Sequence, residues 1–145
     1  MRCQECAPRF HGDRCHECVM GYRGSSCEPI KSCRGYNKKS LASGIYKIFD
    51  ANMNLIHVYC DFDRNSSMSW TLIQSYELIF IKGVYKHSFF RNYPENENGP
   101  SWQKYRLSKS RMKSILQDSS KWRITCDYQS SGTVYRDYVR VSNKI

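Results

Sequence analysis

The chain has 145 residues, room for one medium domain or one small domain and part of a larger one, and a formal net charge of +10. Its Tyr, Trp and Phe content, 14%, is too high for a disordered chain, and no apolar run is long enough to cross a membrane: the longest, Leu78-Ile79-Phe80-Ile81, is broken by Lys82. Five of the eight cysteines fall before residue 28, which points to a disulfide-stapled N-terminal piece followed by one with its own core.

Residues 1–30 show no hydrophobic periodicity, only Gly, Pro, Cys and charge, which predicts turns and short hairpins. Glu28-Pro29-Ile30-Lys31-Ser32 reads as a short linker. From Cys33 onward β-branched and aromatic residues dominate. Gly44–Phe49 and Leu55–Cys60 predict two strands, and Asp50-Ala-Asn-Met-Asn54 between them has the turn chemistry of a hairpin. Asp61 to Ser69 is a polar loop, and Trp70–Gln74 predicts a third strand. Residues 77–100, with Pro94, Gly99, Pro100 and several Asn, predict irregular chain. Leu107, Met112, Ile115 and Leu116 fall near helical spacing, and Ser108 is available as a cap, so a short helix is predicted over 108–117. Trp122–Tyr128 and Val134–Val141 predict a last pair of strands, joined by 129–133. In the second, Val139 and Val141 share one face with Tyr135 and Asp137.

One phrase occurs twice in the N-terminal piece: Cys6-Ala-Pro-Arg-Phe-His-Gly-Asp-Arg-Cys15 and Cys18-Val-Met-Gly-Tyr-Arg-Gly-Ser-Ser-Cys27. Each is a Cys, an aromatic four residues on, a Gly two after that, then a Cys. This resembles the closing hairpin of an epidermal-growth-factor-like module, and the joining Cys15-His-Glu-Cys18 makes it similar to the laminin type. The resemblance implies bridges within each phrase, Cys6 to Cys15 and Cys18 to Cys27, with the partner of Cys3 lying upstream. The competing reading is chemical. Cys3-x-x-Cys6 and Cys15-x-x-Cys18 are two CxxC pairs, and four thiolates so spaced can hold zinc in a regulatory protein. Against it, Ala7 and Val19 stand where zinc knuckles place Gly, and Cys27 and both Gly-aromatic phrases stay unexplained.

The second piece carries Ser32-Cys33-Arg-Gly-Tyr36, Ser43-Gly-Ile-Tyr-Lys-Ile48, His57-Val-Tyr-Cys-Asp-Phe-Asp63 and Trp70-Thr-Leu-Ile-Gln74. In this order and spacing the four phrases resemble the N-terminal part of fibrinogen-like domains. That family bridges the two cysteines corresponding to Cys33 and Cys60, which would contribute on the order of 3 kcal/mol by loop closure. Without the resemblance, Cys60 could equally pair with Cys126. The match covers roughly residues 32–141 and thins after the first forty. Ser67-Met68-Ser69 replaces the usual Gly run, and Cys126 is outside the usual pattern. The family's calcium loop and ligand pocket would lie beyond Ile145, so calcium is expected only in that further part of a parent protein, and no cofactor here.

Catalytic signals are weak. His11, His16, His57 and His87 sit in no nucleophile–base phrase, no Gly-rich phosphate loop follows a strand, and Asp61 with Asp63 is the only nearby carboxylate pair weighed for acid/base or metal work. Lys104, Arg106, Lys109, Arg111 and Lys113 form a basic patch able to meet sulfated glycan or to act as a solvated helix face. Asn65-Ser66-Ser67 is a glycosylation sequon.

The expected fold is therefore a small disulfide-rich module over 1–30 plus an incomplete fibrinogen-like α+β domain over 31–145, an antiparallel sheet with a short helix. The expected function is a non-catalytic extracellular module for adhesion or lectin-type recognition, secreted or part of an ectodomain. Its expected partners are extracellular glycans or matrix and cell-surface proteins, not nucleic acid. With no apolar leader after Met1, the chain is expected to be a piece of a longer exported protein.

Overall fold

The structure is a computed structural model that describes residues 5–36, 41–63, 66, 68–77, 79–80, 88–125 and 138–142. Cys3, Asn65, His87 and Cys126 lie outside the described residues, and with them the sequon, the residues 126–128 and 134–137 of the last predicted strands, and the alternative partner for Cys60.

The repeated phrase folds twice into the same turn. β1 (Phe10–His11) pairs with β2 (Glu17–Cys18), and β3 (Tyr22–Arg23) pairs with β4 (Glu28–Pro29). Gly12 and Gly24 occupy equivalent places at φ +89° and +77°, a region where a side chain is strained. Each accepts a hydrogen bond from the closing cysteine, Cys15 N to Gly12 O at 3.1 Å and Cys27 N to Gly24 O at 3.2 Å. Disulfides close both turns, Cys6–Cys15 with Cα atoms 5.2 Å apart and Cys18–Cys27 at 5.4 Å, within the range a bridge spans.

A single 3₁₀ turn follows at Cys33–Gly35, begun by Ser32, whose Oγ accepts from Arg34 N at 3.3 Å and donates to Asp118 Oδ2 at 2.6 Å. The hairpin comes next: β5 (Gly44–Phe49) and β6 (Leu55–Phe62), with Gly44 opposite Cys60 and Phe49 opposite Leu55. Asp50 makes its turn by accepting from the amides of Asn52 and Asn54, both at 2.9 Å. β7 (Ser69–Thr71) adds to the far side, for the order β5-β6-β7. A third disulfide, Cys33–Cys60 with Cα atoms 5.5 Å apart, ties the 3₁₀ turn to β6.

Trp70–Gln74 is not one strand. The chain leaves the first sheet after Thr71, and β8 (Gln74–Tyr76) pairs instead with β9 (Lys104–Arg106), a strand that lies between the irregular chain expected over 77–100 and the helix and was not expected. Glu95 bridges the outer side of β9 through Arg106, with Glu95 N to Arg106 O at 2.8 Å and Arg106 N to Glu95 O at 2.7 Å. The helix α1 (Lys109–Gln117) begins where expected, but Ser108 caps nothing with its side chain. Other residues serve that end: Glu97 accepts from Ser108 N at 2.9 Å and Asn92 from Lys109 N at 3.0 Å. β10 (Lys121–Thr125) and β11 (Tyr138–Ser142) close the described chain as an antiparallel ribbon with Trp122 opposite Val141 and Ile124 opposite Val139.

Alternation along β6 builds the core. Ile56, Val58, Cys60 and Phe62 point inward with Ile48, Tyr105, Leu107 and Ile115, each such side chain worth roughly 1.5–3 kcal/mol when fully buried. Ile30 belongs to this core at 3% exposure. The stretch expected to be a linker is thus packed: Ile30 N donates to Gly21 O and Phe49 N to Ile30 O, both at 2.7 Å, and Tyr22 lies against Phe49 with ring centroids 4.8 Å apart. Gly21, at φ +91°, fits because a Cβ there would stand 2.9 Å from the Phe49 ring. The physical reason is the hairpin's turn end, where Phe49 and Leu55 need cover that the twin-turn segment supplies. In sum, the described residues form a disulfide-rich α+β fold of mostly antiparallel strands with one α-helix.

Candidate functional site

Where one face of the β5-β6-β7 sheet makes the core, the other makes the site. Alternation puts His57, Tyr59 and Asp61 on that second face of β6. The register sets Lys47 opposite His57 and Ile45 opposite Tyr59. Leu72, the residue just after β7, donates from its N to Tyr59 O at 2.9 Å, so Leu72, Tyr59 and Ile45 form a row from the β7 side of β6 across to β5. Trp102 roofs this row, meeting the Tyr59 ring edge-on at 66° with centroids 4.8 Å apart. Between them lies a cleft of about 170 Å³ lined by Gly44, Ile45, Tyr59, Leu72, Pro100, Ser101 and Trp102.

The roof is anchored through its backbone. Ser75 Oγ donates to Trp102 O at 2.8 Å, Glu77 N to Gln103 O at 2.9 Å, and Ser101 Oγ accepts from the amides of Gln103 and Lys104 at 3.2 and 3.3 Å. The indole is therefore positioned by the β8–β9 ribbon, which the β-sheet's own sequence does not announce. The one sign in the sequence was Tyr59 itself, a large aromatic on the polar side of an alternating strand.

Asp61 stands at one end of the face. It accepts from Ser43 Oγ at 3.0 Å and pairs with the Arg123 guanidinium, which lies 4.4 Å over the Trp70 ring. Asp63 is engaged elsewhere: Ser66 N and Ser66 Oγ donate to it at 3.2 and 2.6 Å, closing the loop after β6. The two carboxylates are thus held apart in separate structural duties and share no site. Among the described residues no three His, Cys, Asp or Glu are grouped to hold a metal. In the disulfide-bonded state Cys6, Cys15 and Cys18 carry no thiolate, so three of the four sulfurs of the zinc reading are already consumed. His11 pairs with Glu17 at 3.5 Å on the exposed β1–β2 turn.

The five basic residues 104–113 do not share one face. Lys104 pairs with Glu95. Arg106 is buried at 1% exposure, its guanidinium donating to Gln74 Oε1 at 2.8 Å and to the carbonyls of Ser88 and Arg91 at 2.9 and 3.2 Å. Arg111 bridges Glu97 at 3.2 Å and Asp50 at 3.7 Å. Lys109 is half-buried, and Lys113 is exposed. Burial takes Arg106 into the interior, and helix phase sets Arg111 on a different side of α1 from Lys109 and Lys113. A wider trough of about 580 Å³, lined by Pro94, Asn96, Glu97, Asn98, Gly99 and Ser101, is more open, and its one carboxylate, Glu97, is already held by Arg111 and Ser108 N. The aromatic cleft is the better-built site.

No family model, no curated protein and no solved structure matches this chain. The cleft offers aromatic edges and aliphatic walls, surfaces that suit an apolar group.

The Arg111 clamp yields a pH prediction. Burial pushes the Asp50 carboxyl up, but hydrogen bonds from Asn54 and Asn52 together with the Arg111 charge outweigh it and hold the carboxyl below its ordinary value. A depressed carboxyl stabilises the fold above its unfolded pKa, about 3.9, and that contribution is lost as pH falls through the lower folded value. Asp50→Asn is expected to cost about 1–2 kcal/mol at neutral pH, and the gap to wild type should close in acid. Urea unfolding at pH 7 and at about pH 2.5 measures both; a gap that persists in acid would assign the effect to the turn and not to the charge.

Proposed function

We propose that this chain is a non-catalytic extracellular binding module, residues 1–30 forming a laminin-type growth-factor-like unit and residues 31–145 the N-terminal portion of a fibrinogen-like domain. Three disulfides support an oxidising location, and among the described residues no helix is long and apolar enough to cross a membrane. The observation that carries the binding role is the Tyr59–Trp102 cleft, an aromatic-lined recess open on the solvent face of a disulfide-tied sheet. Aromatic side chains in a recess are the residues that carry binding energy at recognition sites. Extracellular glycans and matrix or cell-surface proteins are its partners.

The test uses the full chain secreted through an oxidising compartment and applied to arrays of sulfated and acetylated glycans and of matrix proteins. Retention on at least one class is expected, with Trp102→Ala weakening it roughly tenfold or more. A chain that binds neither class, or binds undiminished without Trp102, overturns the proposal.

A further inference from the structure

β5 is the outer strand of its sheet, and part of its outer edge is already covered. Asp50 N donates to Asn54 O at 3.0 Å, so with the observed register the even-numbered residues of β5 bond to β6. The odd-numbered residues turn their amides and carbonyls outward. Phe49 N reaches Ile30 O at 2.7 Å, and the Tyr36 hydroxyl donates to Lys47 O. Ile45 N–H, Ile45 C=O and Lys47 N–H face the same way, and none of them is bonded to another described residue. An uncovered strand edge is a template for another extended chain.

This open stretch runs alongside the aromatic cleft, since Ile45 belongs to both. A residue paired opposite Ile45 on an added strand falls on the same sheet face and continues the row Leu72–Tyr59–Ile45 by one strand spacing, about 4.8 Å. Its side chain enters the cleft over Ile45 and under Trp102. The cleft, about 170 Å³, is below the roughly 300–1,000 Å³ of small-molecule sites and suits one apolar side chain. Residues two positions away on the added strand lie on the same face, one of them opposite Lys47, which stands beside His57. On a chain of net charge +10, this end of the row favours a carboxylate.

We propose that β5 receives an extended acidic peptide by strand addition, three main-chain hydrogen bonds forming at Ile45 and Lys47 while one apolar side chain fills the Tyr59–Trp102 cleft. Main-chain pairing supplies affinity, and the cleft with Lys47 supplies selectivity. This rests on the chain being a binding module and names the partner class of the same site. A second copy of this chain is a poorer occupant, because two chains of net charge +10 repel.

The probe is the labelled peptide Thr-Glu-Val-Leu-Val-Glu-Thr, which places Leu in the cleft and Glu toward Lys47 in either strand direction. Saturable binding to the full chain is expected, with exchange of the Ile45 and Lys47 amides slowed at least tenfold. N-methylation of the central leucine should weaken binding at least tenfold without any change to the protein. Ile45→Pro should do the same; it removes an outward N–H and also the Ile45 side chain from the cleft wall, so the N-methylated peptide is the arm that isolates main-chain pairing, and proline is tolerated at such an edge position. Lys47→Glu should weaken binding about fivefold and regain it with Lys in place of both peptide glutamates. No binding at millimolar peptide, binding insensitive to N-methylation, or self-association in place of peptide binding each overturns the proposal. Array retention that needs Trp102 but survives Ile45→Pro would overturn strand addition while leaving the binding-module assignment standing.

Discussion

Replacing Cys33 and Cys60 together by serine is expected to lower stability by about 4 kcal/mol and the thermal midpoint by roughly 10 °C. The sequence separation is 27 residues, and closing a loop of that size restricts the unfolded chain by about 3.5 kcal/mol. Cys33 and Cys60 are both 0% exposed and belong to the buried cluster that includes Ile30, Val58 and Leu107, so two serine hydroxyls there add a desolvation cost. The bridge also ties the 3₁₀ turn to β6, and Thr71 Oγ1 accepts from Cys33 N at 3.0 Å beside it. Replacing Cys6 and Cys15, which are 9 residues apart, removes about 2.6 kcal/mol of loop restriction and opens an exposed turn far from this cluster. Guanidinium unfolding of the two double variants separates them. Equal midpoints would mean that the Cys33–Cys60 bridge is incidental to the core, and the fold would then rest on the sheet alone.

How much of this was legible in the sequence depends on whether the deciding interaction was local. The β5–β6 hairpin was readable because each part of it is local: β-branched strands and a turn whose Asp50 hydrogen-bonds its own neighbours. The twin turns were readable for the same reason, since a Gly at positive φ and a closing Cys recur at fixed offsets. The helix over 109–117 followed from its apolar spacing. What was not readable depended on distant chain. Trp70–Gln74 looks like one strand, yet it divides between two sheets because Lys104–Arg106 competes for its second half. Ile30 sits among Gly, Pro and Cys, and nothing near it signals that Phe49 and Gly35 will enclose it. A Cβ on Gly35 would meet the Ile30 side chain at 2.6 Å, a closeness set 5 residues away in sequence but only visible once the turn is folded. The cleft is the clearest case: Tyr59 was expected as part of a strand, Trp102 fell between the irregular chain expected over 77–100 and the helix expected from 108, and only the β8–β9 pairing brings the second over the first.

Arg106→Met is expected to cost about 3–5 kcal/mol, more than any other change among the five basic residues first grouped as a patch. Its guanidinium holds three acceptors, the Gln74 amide oxygen and the carbonyls of Ser88 and Arg91, and lies 5.3 Å from the Phe89 ring. Removing the fork leaves those acceptors without their donor, and hydrogen bonds to a charged group are worth about 1.5–3 kcal/mol each before any relaxation. Methionine keeps most of the volume, so the loss reports on hydrogen bonding and not on a cavity. Arg106→Lys should recover less than half, because one ammonium does not reproduce a planar fork that reaches in three directions. Lys113→Ala, on the exposed side of α1, should stay within about 0.5 kcal/mol of wild type. Urea midpoints of the three variants decide the matter. If Arg106→Met costs no more than Lys113→Ala, Arg106 is a surface cation after all. The 88–91 segment would then need another anchor, and the basic residues would return to being a common face for an anionic partner.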